Sequence, residues 1–296
     1  MSLYIEGIGF GIIAAASILL GAMGFTLQFG LTNVLNIGYG ALMTFGAFSC
    51  YLLHAWGVNV WIAVVLSGIA TSLLTLLVAK TILTVYVRKG AALFEMAMIT
   101  FGVALILENG LAALTRSNTY ILSMGLEHAH ALGPIRFTTT QLILVILAIG
   151  VFILLDTFLH LTKVGKALRA TAVDPDLARS CGIATNRIVT VAWLMSGFLC
   201  GMAGAVFTID IFTVNAFTGD ALMPLVIVAA LMGKAGSVRG AVLASLMLGI
   251  VTQVVSIAGA SSYDSVVAYG ALAVALLANP KLLQGGLVAE RVQITV

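Results

Sequence analysis

Residues 140–160 read TQLILVILAIGVFILLDTFLH, a run dominated by leucine, isoleucine and valine. A helix that spans the hydrocarbon core of a bilayer needs about 20 mostly apolar residues. This run therefore predicts a membrane-spanning helix. Similar apolar runs, separated by glycine, polar or charged breaks, lie at 8–29, 35–54, 60–83, 92–114, 189–209, 221–232, 240–258 and 265–279.

The composition agrees with this pattern. Of the 296 residues, 61% are hydrophobic and 8% are charged, whereas soluble domains carry about a quarter charged residues. This excludes a soluble enzyme, a nucleic-acid-binding protein and a large domain outside the membrane. We predict an all-α polytopic membrane protein of about eight or nine helices in one transmembrane domain over residues 1–296. The run 221–232 is too short for a simple crossing, so broken or re-entrant helices are expected, and whether 221–232 crosses stays open.

The positions of the cations predict the orientation. Lys and Arg near the ends of spans stay on the cytoplasmic side of a membrane. With nine alternating segments, Arg116 and Arg136 fall on one side and all other cations on the opposite side: Lys80, Arg88, Lys89, Lys163, Lys166, Arg169, Arg179, Arg187, Lys234, Arg239, Lys281 and Arg291. The N-terminus is therefore expected outside and the C-terminus inside, which assigns Asp210 and Asp220 to external loops.

The predicted cytoplasmic connection 161–188 carries the strongest local signal. Asp174 suits the N-cap of a helix, Pro175 suits the first helical position, and Gly182 suits the residue just past a helix end. The sequence thus predicts a short, capped helix on this face.

A second amphipathic helix is expected just before the Asp174-Pro175 break. Val164, Leu168 and Ala172 recur at a spacing of four, with Lys and Arg beside them. A compact helical elbow of this kind can dock into a groove on another protein. The alternative is a solvated connector that carries inside-positive charge.

Acidic residues are scarce within the predicted spans. Glu95 and Glu108 bracket the fourth apolar run, and both are expected near the membrane interfaces. Neither then supplies the carboxylate at the membrane midplane that a proton- or sodium-coupled transporter would use. This favours an energy source outside the membrane.

Motifs for ATP or metal binding are not evident. The glycine-rich stretch Gly233–Gly240 lacks the spacing of a phosphate-binding loop and a preceding strand. The three cysteines, Cys50, Cys181 and Cys200, are widely spaced, so we expect no disulfide and no metal site. Nor is a catalytic residue indicated.

Small residues in the sixth run predict close helix packing. Gly197 and Gly201 are separated by three residues, and Gly204 follows. The alternative is a face shared with another subunit.

Three stretches together resemble a known family. They are 165–183 with 196–204 (SGFLCGMAG), 30–40 (GLTNVLNIGYG) with 45–48, and 233–241 (GKAGSVRGA). As a set they are similar to permease subunits of branched-chain amino-acid ABC importers, and the resemblance covers most of the chain. Two positions depart from the family pattern: Tyr39 stands where the family has histidine, and Lys234 follows Gly233 where the family has a second glycine.

The resemblance implies a non-catalytic subunit in the cell inner membrane that binds no cofactor itself. Its expected partners are a second permease, different or identical, two cytoplasmic ATPase subunits that hold ATP and Mg²⁺, and an extracytoplasmic binding protein. The solute would be small and polar, by default a branched-chain amino acid, although relatives carry urea, short amides and small acids. The residues that the resemblance places in ATPase coupling are Arg169, Asp174, Pro175, Ala178, Gly182 and Ile183.

A solute pathway is predicted from Gln28, Asn33, Asn36 and Tyr39. Polar side chains within membrane spans tend to face the protein interior or a path. Asn33 and Asn36 would share a face if helical, and the neighbouring glycines could break a helix. The alternative is a plain turn at the inner surface. For the whole chain, the rival functions are a stand-alone transporter or channel for a solute such as urea or an amide, and a membrane scaffold.

Overall fold

The computed structural model describes residues 2–123, 129–132, 135–234 and 236–256, with the single residues 266, 269, 270 and 273. Eleven α-helices lie within these ranges: α1 (Ser2–Thr32), α2 (Tyr39–Ala55), α3 (Val60–Val78), α4 (Thr84–Arg88), α5 (Leu93–Thr115), α6 (Thr139–Leu161), α7 (Lys163–Val173), α8 (Pro175–Ser180), α9 (Thr185–Ile211), α10 (Thr218–Met232) and α11 (Val238–Val255). A π-helical turn, Ala79–Leu83, joins α3 to α4.

The predicted class, an all-α polytopic membrane protein, is confirmed. Six helices in the described ranges are long and apolar enough to cross a membrane: Gly9–Thr32, Val60–Val87, Phe94–Thr115, Thr139–Leu161, Thr185–Ile211 and Val238–Val255. Helix α10 is a shorter apolar helix. The predicted run 265–279 lies almost entirely outside the described residues.

The bundle has two distinct ends. We call the end that carries α7 and α8 the elbow end; there α1 and α6 finish and α9 begins. The opposite end carries four short strands, β1 (Tyr120–Ile121), β2 (Ala129–Leu132), β3 (Ile135–Thr138) and β4 (Thr213–Val214). They pair antiparallel as β1 with β4 and β2 with β3. We call this the hairpin end; the hydropathy pattern does not predict these strands.

Helix α1 forms the centre of the core. In its spanning window 83% of residues are buried, against 22% for α5 and for α6. It packs against α9, α10 and α11, and its fully buried side chains include Ile18, Leu20 and Phe25. Helices α5 and α6 therefore lie at the periphery.

Helices α2 and α10 begin in the interior of the bundle. The first residue of α2, Tyr39, lies beside Gly21 and Ser196, near the middle of α1 and of α9. The amide of Gly219, at the start of α10, donates to Thr44 Oγ1 (2.9 Å), and Gly219 packs against the carbonyl of Gly40. The two N-termini thus meet at mid-depth.

Neither of these two helices crosses the bundle alone. At 1.5 Å per residue, the 17 residues of α2 and the 15 of α10 extend about 25 and 22 Å, less than the roughly 30 Å hydrocarbon core. The prediction that 35–54 is a complete span is therefore wrong, because the chain re-enters as non-helical backbone before α2 begins. The open question about 221–232 is answered: α10 is a partial helix.

Candidate functional site

The elbow begins at a tight bend after α6. Thr162 Oγ1 donates to Phe158 O (2.7 Å) and accepts from Gly165 N (2.9 Å), which caps α7. A methyl group on Gly165 would collide with the backbone of Phe158 and Leu159. Glycine at this position therefore lets α7 fold back onto the last turn of α6.

The predicted cap of α8 is confirmed. Asp174 Oδ1 accepts from Asp176 N (3.0 Å) and Leu177 N (2.9 Å), and Pro175 occupies the first turn. Past the helix end, Gly182 has a φ of +83°, a conformation that glycine adopts without a steric cost. The next amide, Ile183 N, bonds back to Ala178 O at 3.0 Å. Both ends of this short helix are thus capped.

The inner face of α7 differs from the predicted one. Gly165, Leu168 and Thr171 are buried, whereas Val164 is 37% exposed and Ala172 is exposed. The predicted Val164–Leu168–Ala172 face is therefore wrong except at Leu168. Gly165 packs closely on α6, so α7 turns this face of the helix inward. A pattern of apolar side chains cannot predict this orientation, because glycine has no side chain.

The outer face of the elbow combines apolar and charged groups. Val173 is 87% exposed and Leu177 is 62% exposed. Of the six predicted coupling residues, Ala178 is buried beneath this face and Ile183 is partly buried; the exposed ones are Arg169, Asp174, Pro175 and Gly182. The elbow thus has a buried base and a free outer surface.

A buried amide cluster, which we define as Gln28, Asn36 and Ser196, joins α1, the segment after it, and α9. Gln28 Oε1 accepts from Asn36 Nδ2 (3.4 Å) and from Ser196 Oγ (3.3 Å). Gln28 and Ser196 are fully buried and Asn36 is 4% exposed. Within the described part of the chain, Gln28 Nε2 has no hydrogen-bond partner. A donor in this state is costly to bury.

Asn33 and Asn36 do not share a helix face, contrary to the prediction. Helix α1 ends at Thr32, and Asn33 is exposed at a φ of 50°. The chain then turns inward: Ile37 N donates to Thr100 Oγ1 at 3.1 Å. Thr100 lies seven residues into α5, about 10 Å from its start. This argues against a plain surface turn.

Tyr39, predicted in the pathway, is a packing residue in this conformation. It is fully buried, its hydroxyl is 3.2 Å from Gly21 O and 3.4 Å from Ser196 O, and its ring meets Phe25 edge-on. Because its hydroxyl contacts the Ser196 carbonyl, Tyr39 lies directly beside the amide cluster.

A cavity of about 530 Å³ lies between the end of α1, the α3–α4 region and the start of α9, at the elbow end. Val34 and Trp193 line it on the buried side, and Lys80, Asn186 and Thr190 add polar groups. Trp193 precedes Ser196 by about one helical turn. The amide cluster therefore lies about one turn deeper than this cavity.

The structure corrects the placement of two carboxyl groups. Glu108 is 7% exposed and lies 15 residues into α5, and its carboxyl is within hydrogen-bonding reach of Asp220. A methyl group on Gly40 would lie 2.8 Å from Asp220 Oδ1. Asp220 is thus in α10 at mid-depth and not in an external loop, and Glu108 is not at an interface. The hydropathy pattern does not reveal this, because it cannot show that α10 begins inside the bundle.

Glu95 behaves as predicted, at the start of α5. Its Oε2 accepts from Ala92 N at 3.1 Å, which places the carboxylate at the end of the helix. The mid-depth of the described bundle therefore carries Glu108 and Asp220, and the expectation that it lacks carboxylates is wrong.

The predicted packing glycines lie inside the chain. Methyl groups on Gly197 and Gly201 would collide with Thr75 and Thr71 of α3, and one on Gly204 would collide with the Met43 carbonyl of α2. These residues hold α9 against α2 and α3. They do not form a face that a second subunit could share.

Residues 7–276 match the family model described as branched-chain amino acid transport system / permease component. The chain belongs to this permease family. The permease is 23% identical to the high-affinity branched-chain amino acid permease LivH of Escherichia coli K12, with 95% of this chain and 96% of that protein covered. It is also 23% identical to BraD of Pseudomonas aeruginosa, with 98% of each covered.

Two further proteins are similar to this chain. The nucleoside ABC transporter permease NupC of Lactococcus lactis is 27% identical over 77% of this chain and 75% of its own length. The solved structure of PsaBC from Streptococcus pneumoniae, in complex with Fab, covers 92% of this chain and 94% of its own with a TM-score of 0.50 at 15% identity, a likeness of fold alone.

The family match and the homologues show that this permease is a membrane subunit of an ABC importer. The sequence indicates Gln28 and Asn36 as buried polar residues of the predicted pathway, but no pattern in it indicates Ser196 or the Glu108–Asp220 contact. An acidic residue inside the apolar segment 218–232 was the available signal for Asp220.

Proposed function

We propose that the whole chain acts as one permease domain that passes a small polar solute into the cytoplasm across the cell inner membrane. Its partners are a second permease subunit, either a different chain or a second copy, two cytoplasmic ATPase subunits and an extracytoplasmic binding protein. ATP and Mg²⁺ bind the ATPase subunits. This chain contributes no catalytic residue and no cofactor site.

The shape and exposure of the elbow support docking of an ATPase subunit. Its base is fixed to the bundle through Gly165, Leu168 and Ala178, while Val173 and Leu177 point outward. Exposed apolar side chains beside cations suit a groove on a partner protein. Closure of the ATPase subunits would then move α7 and α8, and through the tight bend at Thr162, the end of α6.

The charge distribution supports the orientation. Every described Lys and Arg other than Arg116 and Arg136 belongs to a segment at the elbow end: Lys80, Arg88, Lys89, Lys163, Lys166, Arg169, Arg179, Arg187, Lys234 and Arg239. Such an excess is typical of the cytoplasmic side. We therefore place the elbow end in the cytoplasm and the N-terminus outside.

The solute path on this chain runs past the amide cluster and leaves by the cavity at the elbow end. The unpartnered Gln28 Nε2 supports this, since a passing carbonyl or carboxylate oxygen could accept its hydrogen bond. Asn33 lies at the exit and Tyr39 on the far side of the cluster. Because Gln28 and Ser196 are fully buried, the path is closed at the cluster in this conformation.

A branched-chain amino acid is the first solute to test, because LivH and BraD are named for that transport. The likeness to NupC makes nucleosides the matching comparison. Uptake of both classes by cells that express the complete importer would decide between them.

The test of the elbow is co-purification of the ATPase subunit in mild detergent. The substitutions Val173→Ser and Leu177→Ser together remove the exposed apolar surface. The matched control is Leu114→Ser, an 84% exposed apolar residue near the hairpin end. We expect the elbow variant to lose the ATPase subunit and the control to retain it. Equal recovery with both variants would overturn the docking proposal.

A further inference from the structure

We propose that Asp156 and Arg239 form an ionic clasp that transmits movement of the elbow to the amide cluster. The inference rests on the proposed function of the elbow and adds a route from it to the solute path. It assigns Asp156 and Arg239 as positioning residues for transport, with no direct contact to solute.

The clasp has the geometry of a strong ion pair. Arg239 Nε donates to Asp156 Oδ1 at 2.8 Å, and Arg239 Nη2 donates to Asp156 Oδ2 at 2.9 Å. Such a bidentate arrangement fixes both distance and orientation. His160 Nδ1 also lies 3.4 Å from Asp156 Oδ1. The guanidinium thereby ties the last turns of α6 to the first turn of α11.

Helices α6 and α11 are separated further into the bundle. An apolar cavity of about 250 Å³ lies between α1, α6 and α11, lined by Phe152 from α6 and by Val242 and Leu246 from α11, among others. Side chains across this gap transmit little displacement, because they are not in close contact there. The clasp is therefore a firm link between the two helices beside a loosely packed region.

On one side, the clasp is connected to the elbow. Asp156 lies six residues before Thr162, the residue at which α6 ends and α7 is capped. Because Gly165 packs against the backbone of Phe158 and Leu159, α7 and the last turn of α6 are held together. A displacement of the elbow therefore displaces the Asp156 carboxylate.

On the other side, the clasp is connected to α1 through the turn 233–240, which includes the first residues of α11 and of which residues 233–234 and 236–240 are described. Gly233 and Gly240 pack backbone to backbone, and Ser237 Oγ accepts from Gly240 N at 3.2 Å, which caps α11. At its tip, Gly236 packs so closely on α1 that a methyl group on Gly30 would lie 2.6 Å from the Gly236 Cα.

Gly30 is two residues from Gln28, the centre of the amide cluster. Movement of the turn therefore acts on the last turn of α1, where the cluster is held. The order of the link is elbow, Asp156, Arg239, the turn 233–240, Gly30 and Gln28.

Stability and transmission predict different results when the clasp is broken. Arg239 is 63% exposed at its side chain and Asp156 is 22% exposed, and a bidentate pair of this kind can contribute to folding. A purely structural pair would lower ATP hydrolysis and uptake together, through loss of folded complex, or leave both unchanged. A transmitting pair would separate the two activities.

The experiment uses the complete importer in proteoliposomes, with ATP hydrolysis and solute uptake measured on the same vesicles. For Arg239→Gln and Asp156→Asn we expect hydrolysis within about twofold of wild type and uptake per ATP lowered about tenfold, within the range that residues along a coupling route produce. The exchange Asp156→Arg with Arg239→Asp should restore much of the uptake. Lys89→Gln, which removes an exposed cation at the same end, is the matched control and should behave as wild type.

Unchanged uptake per ATP in both single variants would overturn the clasp. So would an exchange variant that assembles with the ATPase subunits and hydrolyses ATP but shows no more uptake per ATP than the single variants. Failure of the proposed function is distinguishable: it would show as no ATP-driven uptake by the wild-type complex.

Discussion

The substitution Gly204→Ala tests the packing of the central helix α9. Its Cβ would overlap the Met43 carbonyl oxygen and lie 2.8 Å from the Met43 carbonyl carbon, where carbon atoms normally stand about 3.5–4.0 Å apart. The obstacle is backbone of α2, so the helices must separate by about 1 Å. Overpacking of this kind costs about 1–3 kcal/mol, offset by up to about 1 kcal/mol of helix propensity. We expect a net loss of about 1–2 kcal/mol.

The matched control is Gly150→Ala, in the middle of α6, where no atom lies within 4 Å of the added methyl group. We expect this variant to be as stable as wild type or more stable by up to about 1 kcal/mol. The assay is denaturant-induced unfolding of the purified chain in mixed micelles. If Gly204→Ala and Gly150→Ala unfold at the same denaturant concentration, the close contact between α2 and α9 is refuted.

Three further outcomes are expected. Asn36→Leu removes a hydrogen bond to Gln28 and should lower uptake of labelled solute. Normal uptake would show that the amide cluster is not part of the solute path. Asp174→Ala removes the acceptor of two amides and should destabilise α8 by about 1 kcal/mol, lowering solute-stimulated ATP hydrolysis, whereas Asp174→Asn should retain most of it. N-ethylmaleimide should modify exposed Cys181 but not buried Cys50 or Cys200 in the native protein, so mass spectrometry showing more than one adduct would contradict the described burial.

Local signals in the sequence predict local structure well here. The capped helix after Asp174 is predictable from residues that are close together in the chain, because an N-cap, a proline and a glycine act within one or two turns. The long spans follow from hydropathy for a similar reason, since each helix satisfies its own backbone hydrogen bonds in lipid.

Features that depend on tertiary contact were not predictable in the same way. The depth at which α2 and α10 begin is set by the contact of Gly40 with Gly219, and no pattern within either segment shows it. The hydropathy pattern consequently predicts a loop position for Asp220, whereas the residue lies in α10. The rotation of α7 depends on Gly165 meeting α6, and glycine contributes nothing to an amphipathic pattern. In the amide cluster, Ser196 joins Gln28 from 168 residues away.

We infer that energy enters this permease from an ATPase subunit docked at the elbow. The direct measurement is solute uptake into proteoliposomes that contain the co-purified complex, with ATP, with a non-hydrolysable analogue, and with the permease alone. We expect uptake only for the complete complex with hydrolysable ATP. Equal solute flux through the isolated permease without nucleotide would contradict it.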